Sequence, residues 1–208
     1  MITIYHLNNS RSERIVWLME ELGLPYAIEN VAREATGAAP MSLRAVHPLG
    51  KGPIVRDGDT VIAESGAIIE YIIHRYGEGR LAVPPSSPDY ARYLEWLHAA
   101  EGTTMPRFIA QWRMIRMGVD ETSPMLAAMR ENADNLLSFM AREVGERPYW
   151  AGNEFTAADI MMTFVLRFLT DWGQFDLSPY PSLEAYRARI EARPAYQRAM
   201  AIANPKAA

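Results

Sequence analysis

The chain has 208 residues, a formal net charge of -4 at pH 7, 49% hydrophobic residues and no cysteine. This length can bury a sizeable core in one or two domains, and the scattered basic residues give no electrostatic footprint for nucleic acid or an anionic membrane. The lack of cysteine excludes disulfides, thiolate metal sites and any protein-thiol nucleophile, so sulfur chemistry requires a ligand that carries the sulfur.

Strand and helix patterns alternate at the start of the chain. An apolar strand pattern covers residues 2–7, a helical pattern covers 12–22 and ends at Gly23, and a second strand pattern covers 26–31. No charged leader precedes the first strand, and no apolar run reaches the roughly 18 residues of a membrane span. We therefore expect a cytoplasmic protein with no membrane segment and no nucleic-acid partner.

A hairpin and a helix complete this N-terminal region. After a polar stretch that is irregular or helical, strand patterns at 54–56 and 61–63 flank Asp57-Gly58, which is a strong hairpin signal. A helical pattern then covers 65–76. The order predicts a small α/β domain over residues 1–77, with a mixed four-stranded sheet and helices.

The rest of the chain shows only helical patterns. Residues 78–88 are rich in proline and serine and predict a linker, after which 89–208 is predicted as an all-helical domain. Thr156 to Asp159 has the form of a helix-capping motif in which aspartate replaces the usual glutamate or glutamine. The predicted helices cover 89–117, 124–145, 160–169, 181–192 and 194–202.

A proline interrupts the apolar run before the hairpin. Pro53 cannot donate a hydrogen bond to a strand ladder, so its place just before Ile54 indicates a special backbone geometry. We predict that the Gly52-Pro53 bond is cis. Such a bond turns the backbone N–H and C=O of the preceding residue outward, where an extended peptide ligand could pair with them.

An acid and a hydroxyl follow the hairpin at the start of a helix. The free N–H groups and the positive dipole end of that helix attract a carboxylate, while Glu64 offers a counter-charge to an ammonium. Together, Glu64 and Ser65 suit an amino-acid zwitterion. The alternative is that Ser65 only caps the helix and that Glu64 only favours its positive end.

Five segments form an ordered set along the chain: Asn8 to Ser12, Glu21 to Tyr26, His47 to Pro53, Glu64 to Ile68 and Trp150 to Asp159. Together they resemble the glutathione transferase family, in particular its serine-type bacterial and fungal branch, and the resemblance extends over essentially the whole chain. Gly52 departs from the pattern, because many relatives carry a larger residue before the proline.

The resemblance implies a fold, a co-substrate and a partner. It implies a thioredoxin-like N-terminal domain that binds glutathione and an all-helical C-terminal domain with a pocket for a small hydrophobic electrophile. Glutathione would be a co-substrate, with no further cofactor and no metal. The resemblance also implies a homodimer and a role in detoxification.

The reacting centre is expected in the loop after the first strand. The resemblance aligns Ser10 with the serine that hydrogen-bonds the glutathione sulfur and favours its thiolate, with support from the dipole of the following helix. Arg11 and Ser12 are close competitors, and Tyr5 is a rival that its apolar strand pattern assigns to packing. Alternatively, Ser10 and Glu13 form only a capping box. His6 has no recognisable partner in the sequence and is expected to be a core or surface imidazole.

The remaining site residues are assigned by charge. For the glutathione that the resemblance implies, charge assigns Lys51 to the glycine carboxylate and Glu64 to the γ-glutamyl ammonium, and Ser65 would bind the γ-glutamyl α-carboxylate. Alternatively, each residue alone is a solvated loop group, so the assignment depends on their joint fit to the ligand. Arg11, Gly52 and Pro53 complete the expected glutathione site, and the contacts at Gly52 are expected to be backbone ones.

The leading hypothesis is an enzyme, a transferase that conjugates the glutathione thiolate to an electrophile, with its rate arising from the raised thiolate fraction and from proximity. One alternative keeps the same site for glutathione-dependent reduction of peroxides or disulfides. A second alternative is a non-catalytic binding module with the same fold.

Overall fold

The computed structural model describes residues 1–205, and the chain groups into two compact units. One unit combines Met1–Ala82 with the segment that begins at Glu191, and the other comprises Val83–Ile190. The first boundary falls within the predicted linker 78–88. The segment after residue 190 groups with the N-terminal unit, whereas the sequence predicts a single helical domain over 89–208.

A mixed four-stranded sheet forms the centre of the first unit. Its strands lie in the order β2-β1-β3-β4, with β1 and β2 parallel and the other two pairings antiparallel, which confirms the predicted sheet. The strands are β1 (Ile2–His6), β2 (Tyr26–Asn30), β3 (Ile54–Asp57) and β4 (Thr60–Ala63), and the accompanying helices are α1 (Glu13–Leu22), α2 (Leu43–Val46) and α3 (Ser65–Arg75).

The second unit is helical. Its long first helix is interrupted by a π-helical segment, although the sequence predicts one continuous helix over 89–117. Pro106 has no N–H to donate to the preceding turn, and the Thr104 hydroxyl donates to the carbonyl of Ala100 at 2.9 Å, so the regular ladder breaks there. The helices are α4 (Tyr90–Ala99), α5 (Met105–Arg116), α6 (Pro124–Gly145), α7 (Ala157–Arg167) and α8 (Pro181–Glu191), with π-helical segments at Ala100–Thr104 and Phe168–Trp172.

Helix α9 (Pro194–Ala203) belongs to the first unit because it packs on α1. The rings of Trp17 and Tyr196 meet edge to face with centroids 5.0 Å apart. Arg193 makes a bidentate ion pair with the partly buried carboxylate of Glu21, with its Nε 2.8 Å from Oε1. Apolar contact and a two-pronged charge pair therefore hold α9 on α1.

The capping motif predicted at Thr156 to Asp159 is present at the start of α7. Asp159 is fully buried and accepts hydrogen bonds from the backbone N–H of Thr156 at 2.8 Å, the backbone N–H of Trp150 at 3.1 Å and the hydroxyl of Tyr186 at 2.9 Å. Burial outweighs these donors and raises the pKa of Asp159 to about 6. One carboxylate thus ties α7 to α8 and to the preceding loop.

Within residues 1–205, no helix combines the length and the apolar character that a membrane crossing requires.

Replacing Asp159 with alanine is expected to lower the free energy of unfolding by about 3 kcal/mol or more, because several buried donors lose their acceptor. Urea unfolding measures this loss. Asp134→Ala, which changes an exposed aspartate on α6, is the matched control and should stay within about 0.5 kcal/mol of wild type.

The difference in stability between wild type and Asp159→Ala should also depend on pH. The folded-state pKa of about 6 lies above the unfolded value of 3.8, so the part of the stability that comes from the bound proton is present below 3.8 and is lost as the pH rises through 6. The gap between wild type and Asp159→Ala should therefore be wider at pH 5 than at pH 7.5. An equal gap at the two pH values would contradict the raised pKa.

Candidate functional site

One edge of the sheet gathers the segments that the sequence analysis selects. In the antiparallel registers Tyr5 lies opposite Ile54, and Ile54 lies opposite Ala63. The end of β1, the start of β3 and the end of β4 therefore share an edge. The loop 8–12, the pair Gly52-Pro53 and the pair Glu64-Ser65 all leave the sheet at that edge.

The Gly52-Pro53 bond is cis, as the sequence predicts. Pro53 is buried, Gly52 is partly exposed and Lys51 is exposed. A Cβ atom on Gly52 would come within 3.1 Å of Cδ1 of Leu7, which is itself part of the apolar cluster beneath this edge. A larger residue here requires Leu7 to move, so the glycine is matched to its neighbour.

Glu64 and Ser65 form the start of α3. Glu64 precedes the first helical turn in a left-handed backbone conformation, with φ of 74°, which is uncommon for a residue with a side chain. Its side chain is exposed. Ser65 is the first helical residue and is buried, so it does not occupy the capping position that the alternative interpretation assigns to it.

A buried cation lies beneath the start of α3. Arg14 of α1 is 1% exposed, and its Nη1 donates to the hydroxyl of Ser65 at 3.3 Å. The guanidinium adds positive charge to the dipole of α3 at the same end, and the two effects favour a carboxylate there. Arg14 was not among the predicted site residues, although an arginine next to the apolar run Ile15 to Met19 is itself a signal.

Ser10 is partly exposed in the loop before α1, and its Oγ lies 2.7 Å from the Oγ of Ser12. The capping box that was its alternative role is not formed in the usual way. The N–H of Glu13 donates to the backbone carbonyl of Ser10 at 3.1 Å, and the Glu13 carboxylate accepts from Nδ2 of Asn204. Ser12, not Ser10, precedes the first residue of α1, although the Ser10 hydroxyl also accepts from the backbone N–H of Ser12 at 3.3 Å.

Ser12 and His6 form a buried pair behind Ser10. Both residues are fully buried, and the Oγ of Ser12 lies 2.7 Å from Nδ1 of His6. The other ring nitrogen, Nε2, lies 2.6 Å from the backbone carbonyl of Ala203 at the end of α9. His6 is therefore a core imidazole, one of the two positions expected for it, and its partners come from the next loop and from a residue 197 positions away.

Burial is the main cause that lowers the pKa of the His6 imidazole below its ordinary value of 6.5, and the nearby charge of Arg33 acts in the same direction. The imidazole is accordingly neutral at pH 7. Since a carbonyl can only accept, the single ring hydrogen lies on Nε2, and Nδ1 is left as an acceptor.

The loop that carries Ser10 is held from two sides. Asn204, just after α9, accepts from the N–H of Asn9 at 2.8 Å and donates to the carboxylate of Glu13 at 2.9 Å. Arg33 donates from Nε to the carbonyl of Asn8 at 3.0 Å and from Nη2 to the carbonyl of Asn9 at 3.0 Å. These contacts fix the backbone on which Ser10 sits.

The rival residues at the reacting centre differ in accessibility. Tyr5 is buried in the apolar cluster, where its hydroxyl accepts from Nε of Arg56 at 3.1 Å, which fits the packing role expected of it. Ser12 is fully buried. Ser10 and Arg11 are partly exposed, so they are the two candidates whose side chains a ligand can reach.

The exposed and partly exposed groups of this edge define what it can bind. They comprise a hydroxyl at Ser10, a cation at Lys51 and an anion at Glu64. The positive, N-terminal end of α3 lies at the same edge, directly after Glu64. This set suits a ligand that carries both carboxylate and ammonium groups. In residues 1–205, no cluster of three or more histidine, aspartate or glutamate side chains is placed to hold a metal ion.

Two sequence models of known domain families match the chain. The family described as "Glutathione S-transferase, N-terminal domain" matches residues 10–75, and the family described as "Glutathione S-transferase, C-terminal domain" matches residues 123–189. The first match includes all the candidate residues from Ser10 to Ser65.

Whole-chain comparisons find similar proteins. Glutathione S-transferase 3 of Schizosaccharomyces pombe is 33% identical over 211 residues, which cover 94% of this chain and 85% of the relative. A crystal structure of a glutathione S-transferase from Actinobacillus pleuropneumoniae has a TM-score of 0.86 at 31% identity, covering 98% of this chain and 93% of that one. A theta class glutathione S-transferase from Xanthomonas axonopodis, crystallised with glutathione bound, has a TM-score of 0.74 at 27% identity, covering 95% and 96%.

Replacing Asn204 with alanine removes two hydrogen bonds that hold the loop before α1, so the free energy of unfolding should fall by about 1–2 kcal/mol. Hydrogen exchange at the Asn9 amide should accelerate by roughly 10-fold, because its acceptor is lost. Asn132→Ala is the matched control, since its exposed side chain bonds only to the carbonyl of Ala128 in its own helix. Unchanged Asn9 exchange in Asn204→Ala would contradict the anchoring role.

Proposed function

Because this chain belongs to the glutathione S-transferase family, we propose that it conjugates the glutathione thiolate to a small hydrophobic electrophile. One observation carries the proposal. The sheet register brings a hydroxyl, a lysine, a glutamate and a helix N-terminus to a single edge. Glutathione carries a thiol, two carboxylates and one ammonium, and it matches this set group for group.

The roles of the charged groups follow from this match. We assign Lys51 to the glycine carboxylate and Glu64 to the γ-glutamyl ammonium, since both side chains are exposed and oppositely charged. Ser65 and the first N–H groups of α3 would receive the γ-glutamyl α-carboxylate, with Arg14 beneath them adding positive charge. Gly52 and Pro53 would contact the tripeptide through the backbone, and Arg11 borders the sulfur.

The proposed chemistry takes place at the sulfur. Ser10 stabilises the thiolate by hydrogen bonding, as in the serine-type branch of the family, and the N-terminus of α1 adds a favourable dipole. The thiolate then attacks the electrophilic carbon, a carbon–sulfur bond forms, and the leaving group departs with its electron pair. Glutathione is the co-substrate, and no metal or further cofactor takes part in this scheme.

We propose that the second substrate is an apolar compound that packs against aromatic side chains. The helical unit carries partly exposed indole rings at Trp112 and Trp172. Trp112 meets Phe168 with ring centroids 5.8 Å apart, and Trp172 meets Phe164 at 5.9 Å. Such surfaces favour hydrophobic compounds of varied shape. We further propose that the protein is a cytoplasmic homodimer that acts in detoxification. Light scattering of the purified chain would test the oligomeric state.

Product analysis is the experiment that tests the proposed reaction. Incubation of the full chain with glutathione and an aromatic halide should yield the thioether conjugate, detected by mass spectrometry. Formation of oxidised glutathione with a peroxide, and no conjugate with any electrophile, would replace transfer with reduction. Absence of glutathione binding by calorimetry at millimolar concentration would leave only the non-catalytic binding module.

Ser10→Ala is expected to raise the pKa of the bound glutathione thiol by about 1–2 units, because a hydrogen bond to a charged group contributes about 1.5–3 kcal/mol. The value of kcat/KM should fall by roughly 10-fold to 100-fold. Ultraviolet absorbance of the thiolate during a pH titration measures the pKa. The exposed Ser86, changed to alanine, serves as the control and should leave the titration unchanged.

Glu64→Gln is expected to weaken glutathione binding by about 10-fold, since the ammonium loses its counter-charge. Calorimetry should show no such loss for an analogue of glutathione that lacks the α-amino group. Glu34→Gln is the control, because Glu34 is an exposed acid of the same unit outside the proposed site. An equal loss for glutathione and the deaminated analogue would remove Glu64 from its assigned role.

A further inference from the structure

Three hydrogen-bonding contacts form a continuous chain from the partly exposed Ser10 to the interior of the first unit. Ser10 Oγ lies 2.7 Å from Ser12 Oγ, Ser12 Oγ lies 2.7 Å from Nδ1 of His6, and Nε2 of His6 lies 2.6 Å from the carbonyl of Ala203. Ser12 and His6 are fully buried. The chain therefore connects the proposed sulfur position to a titratable group that water does not reach.

The direction of these hydrogen bonds is fixed at the buried end. Because the Ala203 carbonyl holds the ring hydrogen on Nε2, Nδ1 of His6 accepts the hydroxyl hydrogen of Ser12. The carbonyl of Leu7 is a second acceptor for that hydrogen, but at 3.3 Å it is the longer contact. Because the hydrogen of Ser12 is used in this way, Ser10 is the donor and Ser12 the acceptor in the short contact between the two serines.

Ser10 consequently faces a ligand as an acceptor in the free protein. Its one hydrogen points inward to Ser12, and its oxygen also accepts from the N–H of Ser12 at 3.3 Å. In this arrangement Ser10 cannot donate to a sulfur. The donor role that the family resemblance implies requires the whole chain of hydrogen bonds to reverse.

We propose that His6 is the acceptor of the glutathione thiol proton, which reaches it through Ser10 and Ser12; this inference rests on the proposed glutathione site. The S–H bond breaks and its proton goes to Ser10 Oγ. The hydrogen of Ser10 moves to Ser12 Oγ, and the hydrogen of Ser12 moves to Nδ1 of His6. The products are a thiolate and an imidazolium, and each serine again carries one hydrogen.

The reversed chain stabilises the product of the transfer. The imidazolium now donates from Nδ1 to Ser12, Ser12 donates to Ser10, and Ser10 donates to the thiolate. Nε2 keeps its hydrogen bond to Ala203, which stabilises the cation in the way that an acceptor orients the imidazole of a catalytic triad. The relay thus supplies both the base and the donor that a bound thiol requires.

The surrounding charges explain why the transfer depends on the ligand. From the segment after β2, Arg33 disfavours a positive charge on His6, and burial acts in the same direction. On α1, the carboxylate of Glu13 binds Asn204, and at the end of α9 the hydrogen bond to the Ala203 carbonyl acts in the opposite direction and favours the charged imidazole. A thiolate formed in the same step offsets the new cation, so His6 becomes charged only when the thiol is in place.

Nitrogen NMR of the full chain tests the proposal directly. The chain has four histidines, and His6→Gln identifies the His6 signals by their disappearance. At pH 7 the His6 ring should be neutral in the free protein, become an imidazolium with glutathione, and remain neutral with S-methylglutathione, which has no thiol proton. A neutral His6 ring in the glutathione complex, with thiolate absorbance present, would overturn the proposal.

A proton count gives a second test that does not depend on the His6 variant. Calorimetry in buffers of different ionisation enthalpy measures the protons released on glutathione binding. Wild type should release fewer protons than the number of thiolates formed, whereas Ser12→Ala, which breaks the relay, should release one proton for each thiolate. Ser42→Ala, an exposed serine at the start of α2, is the control and should behave as wild type.

The outcomes separate this inference from the proposed function. If wild type binds glutathione, forms the thiolate and releases one proton for each thiolate, the relay is wrong and the transferase proposal stands. If neither glutathione nor S-methylglutathione binds, the proposed function falls and the relay falls with it.

Discussion

The antiparallel pairing of β3 with both β1 and β4 is the constraint on which the candidate site depends. Through these two pairings, the short strand β3 places the end of β1 and the end of β4 at the same edge of the sheet. A slip of one residue in either pairing would turn every side chain of the shifted strand to the other face. The apolar cluster of Tyr5, Leu7 and Ile54 resists such a slip, so core packing also sets the positions of the polar groups.

The site consists of an exposed layer and a buried layer. Ser10, Lys51 and Glu64 are accessible to a ligand, whereas Ser12 and Arg14 support them from inside. Buried polar groups are stable only when they are hydrogen-bonded, and each of these two inner residues has a partner on a neighbouring segment. The buried residues therefore hold the exposed ones in place. Because a buried polar group without a hydrogen bond is costly, the positions of the site residues stay fixed.

Local signals in the sequence predicted most of the fold. The hairpin at Asp57-Gly58, the end of α1 at Gly23 and the cis bond before Pro53 are each encoded within a few residues, and the structure has all three. The family resemblance selected Ser10, Lys51, Glu64 and Ser65 as a group, and the sheet register explains why those segments leave the same edge. Their assignment to glutathione remains a prediction.

The errors arose where contacts are distant along the chain. The partner of His6 could not be identified from the sequence, because the carbonyl of Ala203, 197 residues away, has no signature there. Helix α9 was grouped with the helical domain because periodicity reveals an apolar face but not the surface that it covers. The π-helical break before α5 was missed for a different reason, since the apolar stripe continues through Pro106 and periodicity alone does not register one missing N–H.

The return of α9 to α1 has a consequence for how the molecule is made. The first strand and α1 are synthesised long before α9. The Ala203 carbonyl, which orients His6, follows it by 197 residues. The arginines that pair with Glu20 and Glu21 follow these acids by 178 and 172 residues. A nascent chain thus holds an N-terminal unit with an uncovered apolar helix face throughout translation of the helical unit. Completion of that unit waits until α9 has been synthesised, and until then the uncovered surface of α1 is where a chaperone would bind.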